Sequence, residues 1–167
     1  MISLRSLPHS WRVSRYQEEL RRDPCWASWT DVSDVGRTFN GMVLTSEEYG
    51  RVENSYISAV VRFAALTSAS LLRVVYVGHQ SGDFALSAGQ IVLRSDVGPI
   101  VRGNLRGELD CALEAVNGRL QLAFGFDLYM YVAADSPCES AVVDAMQEGL
   151  WIEPDVPLAL WEDDDRE

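Results

Sequence analysis

The chain has 167 residues, and its hydrophobic fraction of 47% is that of one ordinary soluble domain with a core of its own. A formal net charge of −11 disfavours nucleic acid as a direct partner, because phosphates require a basic surface. No apolar stretch approaches the roughly 18 residues of a membrane span, and no signal-like run stands near the start, so we expect a cytoplasmic protein without a membrane partner.

The first part of the chain, residues 1–44, has little periodicity but contains Trp11, Trp26 and Trp29. A short helix is predicted over 16–22. Because aromatic rings pack readily onto an apolar core, we expect this tryptophan-rich segment to wrap around the domain and not to be disordered.

The strongest helix signal covers residues 46–66. Thr45 and Glu48 form the T-x-x-E pattern of a capping box, and apolar residues recur at spacings of three and four. The apolar run LLRVVYVG at 71–78 then predicts a central strand that is covered on both faces, with His79 just past its end.

The segment between residues 83 and 107 is ambiguous. Ser87 is suitable as the cap of a short helix through Arg94, whereas the glycines and the proline of DVGPIVRGNLRG favour a loop. A flexible loop explains this stretch better than a phosphate site built from Arg102 and Arg106.

The clearest hairpin signal is Asn117-Gly118, the dipeptide typical of a type I′ turn, within residues 108–126. A two-residue loop there pairs Leu113 with Leu122 and gives the hairpin one apolar and one wet face. The segment DLYMYVAA is predicted to continue as a third strand.

A second helix is predicted over 136–149, with Ser136 as its N-cap and Gly149 at its C-terminal end. The apolar stripe of this helix predicts that Val142 and Met146 are buried and that its acids face water. The segment LWIEP is predicted to form a last short strand.

These elements predict an α+β fold, a mostly antiparallel sheet with two main helices packed on one face, because strands outnumber helices and hairpin pairing dominates. We assign residues 1–161 to this single globular domain. The acidic run at 162–167 is expected to be a disordered tail, since dense like charges repel one another.

The negative charge is concentrated towards the C-terminus. Acids and arginines balance over residues 1–126, whereas 127–167 carries twelve acids against Arg166 alone. Such a distribution suits a basic protein partner that is steered in by the acidic side. The alternative is that these acids only keep this end of the protein soluble.

Motifs for catalysis are missing from the sequence: it has no nucleophile elbow, phosphate loop, dinucleotide fingerprint or zinc-protease helix. Its cysteines and histidines lack ligand spacing, so we predict free thiols, no metal and no cofactor. An enzyme would need His79 or carboxylates as its catalytic groups. The alternation along the strand already explains several of these carboxylates as residues of a solvent-exposed face. The carboxylates considered are Asp31, Asp34, Glu108, Asp110, Glu114 and Asp127.

The stretch FGFDLYMY is the better candidate for binding. On a strand, Asp127, Tyr129 and Tyr131 share one face, and tyrosines beside an acid are typical of contact surfaces; tyrosines that support the core are the alternative. We predict no catalytic residue and a partner-binding set that adds the acids of later ordered elements. The set is Asp127, Tyr129, Tyr131, Asp135, Glu139, Asp144 and Glu148.

Four segments, SWTDVSDVGRTFNG, LTSEEYGRVENSYISAV, RGELDCALE and FGFDLYMYV, together resemble a group of small bacterial proteins. That group is similar in size and acidity to the immunity proteins that accompany secreted polymorphic toxins. The resemblance spans residues 25–153 and assigns no functional residue. It implies a cytoplasmic protein that occludes the basic active site of a toxin. The alternatives are a small carboxylate- or histidine-dependent enzyme and a ligand-binding or oligomeric module.

Overall fold

The computed structural model describes residues 6–16 and 28–158. Three predicted features lie outside these residues. They are the helix predicted over 16–22, of which only Tyr16 is described, Trp26, and the acidic tail at 162–167. The strands are β1 (His9–Ser14), β2 (Thr38–Phe39), β3 (Met42–Val43), β4 (Leu71–Gln80), β5 (Ile91–Leu93), β6 (Leu109–Ala115), β7 (Leu120–Phe124), β8 (Met130–Ala134) and β9 (Trp151–Pro154). The α-helices are α1 (Ser46–Leu66), α2 (Gly98–Leu105) and α3 (Glu139–Gln147).

Seven strands form one sheet in the order β5-β4-β6-β7-β8-β1-β9, and every neighbouring pair is antiparallel. The strands β2 and β3 form a separate small hairpin. The predicted α+β fold is thereby confirmed. Within the described residues, no helix is both long and apolar enough to cross a membrane.

The main core lies between the three helices and one face of the large sheet. Tyr56 and Phe63 of α1 are fully buried there against strand residues such as Leu72, Leu113 and Met130. Each side chain of this kind stabilises the fold by about 1.5–3 kcal/mol relative to exposure, so this layer holds the sheet in shape.

The opposite face of the sheet, which we call the helix-free face, carries a smaller apolar cluster. Ala112, Ala123 and Tyr131 pack together there. Val156 and Leu158, from the segment that follows β9, lie against them. The chain therefore returns from the edge strand β9 across the middle of this face.

The strand β1 is a central element that the sequence analysis did not predict. It lies between β8 and β9, with Val13 opposite both Met130 and Ile152. Its residues alternate between the faces, and the ring of Trp11 packs on Phe63 at a centroid distance of 5.2 Å. The tryptophan-rich segment thus contributes a strand to the sheet.

The helix α1 confirms its prediction, including the start. Thr45 Oγ1 accepts a hydrogen bond from the Glu48 N–H at 3.1 Å, which satisfies one of the open donors of the first turn. The Glu48 carboxylate binds Arg51 at 2.8 Å and does not return to the Thr45 N–H, so only one half of the predicted capping box forms.

The prediction of β4 as a strand covered on both faces is wrong. All three helices lie on one side of the sheet, so Leu71 and Arg73 are exposed on the other. The strand also runs on to Gln80, which places His79 within it and exposed to solvent.

The loop predicted over residues 96–107 instead contains the helix α2, and the segment from Ser87 to Arg94 contains the strand β5 and not a helix. Pro99 lies in the first turn of α2, where its missing N–H costs little. Gly103 lies directly under the ring of Phe84, and a Cβ there would lie 2.4 Å from that ring, so a larger residue would have to displace it.

The helix α3 ends as predicted but begins later. Gly149 has a φ of 90° and follows the last turn, as the C-terminal signal requires. The helix starts at Glu139, with Cys138 in the N-cap position at a φ of 45° and without a side-chain cap, so Ser136 is not the N-cap.

The predicted burial of α3 is correct for part of its apolar stripe and wrong for the rest. The helix packs through the small residues Ala141 and Ala145, whereas Val142 is partly buried and Met146 is 47% exposed. Two alanines at a spacing of four allow a close approach, which leaves the larger side chains at the margins.

The β6–β7 hairpin has the predicted register, with Leu113 opposite Leu122. The turn differs from the type I′ prediction. Gly118 N–H donates to the Ala115 carbonyl at 2.8 Å, and Gly118 alone in this turn has a positive φ, of 71°. Asn117 therefore does not adopt the left-handed conformation for which its dipeptide is known.

Asn117 instead connects the turn to the end of α1. Its Nδ2 donates to the carbonyls of Thr67 at 2.9 Å and Ser68 at 3.1 Å. Its Oδ1 accepts from the Arg119 N–H at 3.1 Å. The side chain thus satisfies carbonyls that the helix leaves open.

Candidate functional site

The β7–β8 connection is a tight turn of unusual conformation. Tyr129 N–H donates to the Phe126 carbonyl at 3.2 Å, and Gly125 N–H donates to the Tyr129 carbonyl at 2.8 Å. Asp127 and Leu128 have φ values of 56° and 63°. Two central residues with positive φ are the mark of a type I′ turn, formed here without glycine or asparagine. We call residues 126–129 the tip.

The tip is held from behind by the core. The Leu128 side chain is only 3% exposed, and its carbonyl accepts a hydrogen bond from the Tyr56 hydroxyl at 2.5 Å. Tyr56 is itself fully buried, and this burial raises the pKa of its hydroxyl well above the usual value. A left-handed residue other than glycine costs about 1–2 kcal/mol, so burial of Leu128 must offset the strain.

The tip presents an aromatic ring and a carboxylate to the outside. Phe126 is 80% exposed, the largest exposure among the large apolar side chains in the described residues. Asp127 is exposed beside it. Tyr129, at the end of the tip, is partly buried and packs against both apolar clusters.

Aromatic rings and arginines from the N-terminal part of the chain support Tyr129. The rings of Tyr16 and Tyr129 lie 5.7 Å apart, and the Arg12 guanidinium lies 5.1 Å from the Tyr129 ring centroid. Arg15 lies 3.7 Å from the Trp29 ring centroid, and its Nη1 donates to the Trp29 carbonyl at 2.8 Å. Each contact between a cation and the face of an aromatic ring contributes about 0.5–2 kcal/mol, so these contacts stabilise the arrangement of the side chains around Tyr129.

Burial dominates the electrostatics of this cluster. It lowers the pKa of Arg15 and raises the pKa of the Tyr16 hydroxyl, in each case against the favourable interaction between the two side chains. Arg12 is bound on its other side by Glu153, with Nη2 and Oε2 2.6 Å apart. The basic groups near the tip are thus already engaged within the fold.

The structure places Asp127 and Tyr129 of the predicted binding set together at the tip. Asp127 lies in the turn and not on the strand face where we predicted it. Tyr131 points to the helix-free face, where it packs with Ala112 and Ala123 and is 8% exposed. The core-supporting alternative therefore describes Tyr131 better than exposure to a partner does.

The other four residues of that set lie elsewhere. Asp135 follows β8 at the opposite end of the strand, separated from the tip by five residues or roughly 17 Å of extended chain. It binds Arg119 at 2.5 Å, between Oδ2 and Nε. Glu139 is exposed at the start of α3.

Asp144 and Glu148 lie at the interface between α1 and α3. Glu148 Oε1 lies 2.6 Å from Arg62 Nη2, and Asp144 Oδ2 lies 3.6 Å from Arg62 Nε. Both carboxylates thus face an arginine, whereas the sequence analysis predicted that they face water. The seven residues therefore do not form one continuous surface.

The carboxylates considered for catalysis are divided among several structural roles. Asp31 caps a short 3-10 helix over Val32–Asp34, and Asp34 accepts bonds from two backbone N–H groups and from Arg37. Although burial opposes it, these bonds together lower the pKa of Asp34. Asp110 and Glu114 lie on the helix-free face of β6, where Gln121 Nε2 donates to Glu114 at 3.3 Å.

Arg102 and Arg106, the two arginines considered for a phosphate site, bind a carboxylate of α1. Glu53 is 2% exposed and lies between Arg106, at 2.6 Å from its Oε1, and Arg102, at 3.1 Å from its Oε2. The pair bonds raise the pKa of Arg106. This network fixes α2 against α1. Removing either partner of a buried pair of this kind is costly, because the other charge is left without compensation.

Two of the three cysteines are free and buried in the described residues. Asn104 binds Cys111 twice, since its Nδ2 donates to Sγ at 3.3 Å and its Oδ1 accepts from the backbone N–H at 2.9 Å. Burial raises the pKa of the Cys111 thiol to about 11 and also raises that of Cys138. Within residues 6–16 and 28–158, no group of three or more histidine, cysteine or acidic side chains is arranged to hold a metal ion.

Sequence reasoning missed the residues that support the tip. Arg12, Arg15 and Tyr16 lie on or next to β1, which the sequence analysis did not predict, and Tyr56 is one of the apolar positions whose spacing predicts α1. The alternation of HSWRVS over residues 9–14 was the signal available for β1. Nothing local indicated that Leu128 adopts a left-handed conformation.

Comparison with known proteins adds no relative. No protein-family model matches the chain, and no curated protein or solved structure is significantly similar to it.

Proposed function

We propose that this protein is a non-enzymatic binding protein that neutralises a basic protein partner, most concretely an immunity protein that occludes the active site of a toxin domain. The observation that carries the proposal is the tip. Two residues with positive φ, Asp127 and Leu128, form a tight turn that presents an exposed ring and an exposed carboxylate side by side.

Strain at the tip favours a functional reading. Left-handed residues other than glycine persist only where the surroundings impose them, and they are concentrated at binding and catalytic sites. Here the Tyr56 hydroxyl and the buried side chain of Leu128 impose the conformation. A tip that is already ordered loses little entropy on binding, so more of the contact energy appears as affinity.

The chemistry of the tip fits a basic cleft. Phe126 supplies an aromatic anchor of the kind that carries much of the energy of an interface, and Asp127 supplies a charge to pair with a lysine or arginine. The net charge of −11 attracts a basic partner over longer distances and raises the association rate. Asp135, Asp144 and Glu148 contribute to this field while they bind their own arginines.

Structural use of the ionisable groups supports binding over catalysis. Asp34, Glu53 and Glu148 are each bound to arginines in the described residues. His79 is exposed on β4. We therefore assign the contact surface, and not a proton-transferring group, as the functional feature.

The proposal is tested first by growth. It requires that a gene next to this one encodes a toxin, and that expression of the toxin domain in a heterologous host arrests growth. Co-expression of this protein should restore growth. Arrest that persists although the co-expressed protein is soluble would contradict the proposal.

The tip is tested next by binding kinetics against that toxin domain. The variant Phe126→Ser/Asp127→Arg should weaken the affinity by about a hundredfold or more, because it removes the anchor and reverses the charge. The matched control is Val143→Ser/Asp83→Arg, which alters an exposed apolar residue and an exposed acid elsewhere. Equal losses in the two variants would show that total charge and not the tip determines binding.

A further inference from the structure

The two edges of the large sheet differ in their protection against pairing. At one edge, β9 ends in Pro154 and carries Glu153 in an ion pair with Arg12. Proline and charge are the usual means by which an edge strand avoids adding another strand. At the other edge, β5 consists of Ile91, Val92 and Leu93 and has neither.

Backbone groups of β5 point away from the sheet. Arg94 N–H donates to the Ser70 carbonyl at 3.0 Å, and Val74 N–H donates to the Gln90 carbonyl at 2.8 Å. In an antiparallel pair the bonded residues alternate, so Val92 also faces β4. The N–H of Leu93 and the carbonyl of Ile91 consequently point outwards.

Apolar side chains surround these outward groups. Leu93 is 52% exposed, and Ile91 and Leu71 are exposed on the same face of the sheet. On the helix side, Val61 is exposed and shares with Leu93 a shallow depression of about 360 Å³. The remaining lining residues of the depression are Ser70, Arg94 and Ser95.

We propose that β5 pairs with β5 of a second copy of this chain, antiparallel and symmetric about Val92. The pairing joins two seven-stranded sheets into one continuous sheet. Leu93 N–H of each copy donates to the Ile91 carbonyl of the other. The inference does not depend on the proposed function, because the tip belongs to the β7–β8 turn and stays uncovered.

The edge is complementary to itself. Symmetry about Val92 places Ile91 opposite Leu93 of the second copy, so apolar side chains meet. It places Gln90 opposite Arg94 of the second copy, so no two like charges face each other. A self-pairing edge of this kind gives a closed dimer and not an open fibre.

Charge also selects this edge for contact between copies. Two molecules that each carry a net charge of −11 repel one another, and the repulsion is smallest where the local charge is least negative. The charged side chains on and directly beside β5 are Arg73, Arg94 and Asp96. The acids of residues 127–158 lie on β9, α3 and the connections of β8, towards the far edge of the sheet.

The test is the mass of the purified protein by sedimentation, measured from about 1 to about 100 μM, since a short strand pair with a small apolar border predicts micromolar affinity. The unaltered protein should shift from monomer to dimer over this range. A protein that stays monomeric throughout overturns the proposal, including the case where β5 serves a strand of a different protein.

Leu93→Pro is the most specific variant. Leu93 has a φ of −70°, which proline adopts, and its N–H points away from β4, so the fold should keep its thermal stability. This variant should be monomeric at about 100 μM. Leu93→Lys provides a second test should the proline variant lose stability. Val143→Lys is the control, since Val143 is 51% exposed on α3, and it should still dimerise. A dimer that survives both changes at Leu93, or that is lost in the control, overturns the proposal.

Discussion

The two hairpin turns at opposite ends of β7 differ from their predictions in opposite ways. Asn117-Gly118 is the dipeptide typical of two left-handed residues, yet only Gly118 is left-handed. Asp127-Leu128 has no glycine and leucine rarely adopts this conformation, yet both residues have positive φ. One turn is determined by a side chain that binds a distant helix end, and the other by a side chain that the core buries.

Tertiary contacts outweigh the local preference in both turns. Local turn preferences amount to about 1–2 kcal/mol per residue. Burial of a leucine contributes about 1.5–3 kcal/mol, and a hydrogen bond contributes about 0.5–1.5 kcal/mol. Leu128 gains both kinds of contact, whereas Asn117 gains two bonds to Thr67 and Ser68. Where contacts of this size exist, the dipeptide does not decide the turn.

The largest effect is expected from Leu128→Ala. The change removes a buried side chain and leaves alanine in a left-handed conformation, so the free energy of unfolding should fall by about 2–4 kcal/mol. Denaturant titration measures it. Val143→Ala, on the exposed side of α3, should change the same quantity by less than about 0.5 kcal/mol. Similar losses in both variants would show that the core does not hold the tip.

Tyr56→Phe should have the next largest effect. It removes only a hydroxyl, but it leaves the buried Leu128 carbonyl without its donor, which costs about 1–3 kcal/mol. The ring stays in place, so the packing term is nearly constant. Denaturant titration gives the loss, and amide exchange at Tyr129 should accelerate more than exchange in the middle of β6. A uniform acceleration would contradict a specific role at the tip.

Asn117 separates turn preference from tertiary binding. Asn117→Ala should lower the free energy of unfolding by about 1–2 kcal/mol, because two helix-end carbonyls lose their donor. Asn117→Asp keeps the acceptor for Arg119 but not the donors. If binding to α1 matters, both variants lose similar stability. An aspartate variant as stable as the parent protein would assign the role of Asn117 to the turn alone.

The smallest effects are expected from exchanging glycine between the turns. Gly118→Ala forces a left-handed alanine and should cost about 1 kcal/mol. Asp127→Gly relieves strain but adds freedom to the unfolded chain, so it should raise stability by no more than about 0.5 kcal/mol. Thermal unfolding compares the two. A clear loss of stability in Asp127→Gly would mean that the aspartate itself makes a contact that stabilises the fold.

The sequence predicts those parts of the fold that depend on neighbouring residues. The helix α1 follows from its cap and periodicity, and the register Leu113–Leu122 follows from alternation through a short loop. Gly149 correctly ends α3, since the left-handed residue after a helix is a local requirement.

Elements whose evidence lies far along the chain were missed. The strand β1 is stabilised by β8 and β9, and Arg12 and Glu153 are 141 residues apart. In the sequence Gly103 indicates a loop, but in the structure it lies within α2. The ring of Phe84, which is 19 residues earlier in the chain, packs there too closely for a Cβ. At the candidate site, Asp127 and Tyr129 were identified from their residue types, whereas the support from Tyr16 and Tyr56 depends on the same long-range packing.

The buried Cys111 thiol, which Asn104 binds, makes it possible to measure how often the fold opens locally. A thiol with a pKa of about 11 is almost entirely protonated at neutral pH, and only the thiolate form attacks alkylating reagents. Cys111 lies on β6 and is buried against Asn104 of α2, so it should react only when the contact between α2 and β6 opens. In a chain that lacks the other two cysteines, the alkylation rate would measure how often the helix leaves the sheet. The same measurement with and without a bound partner would report whether binding at the tip changes how often the contact between α2 and β6 opens.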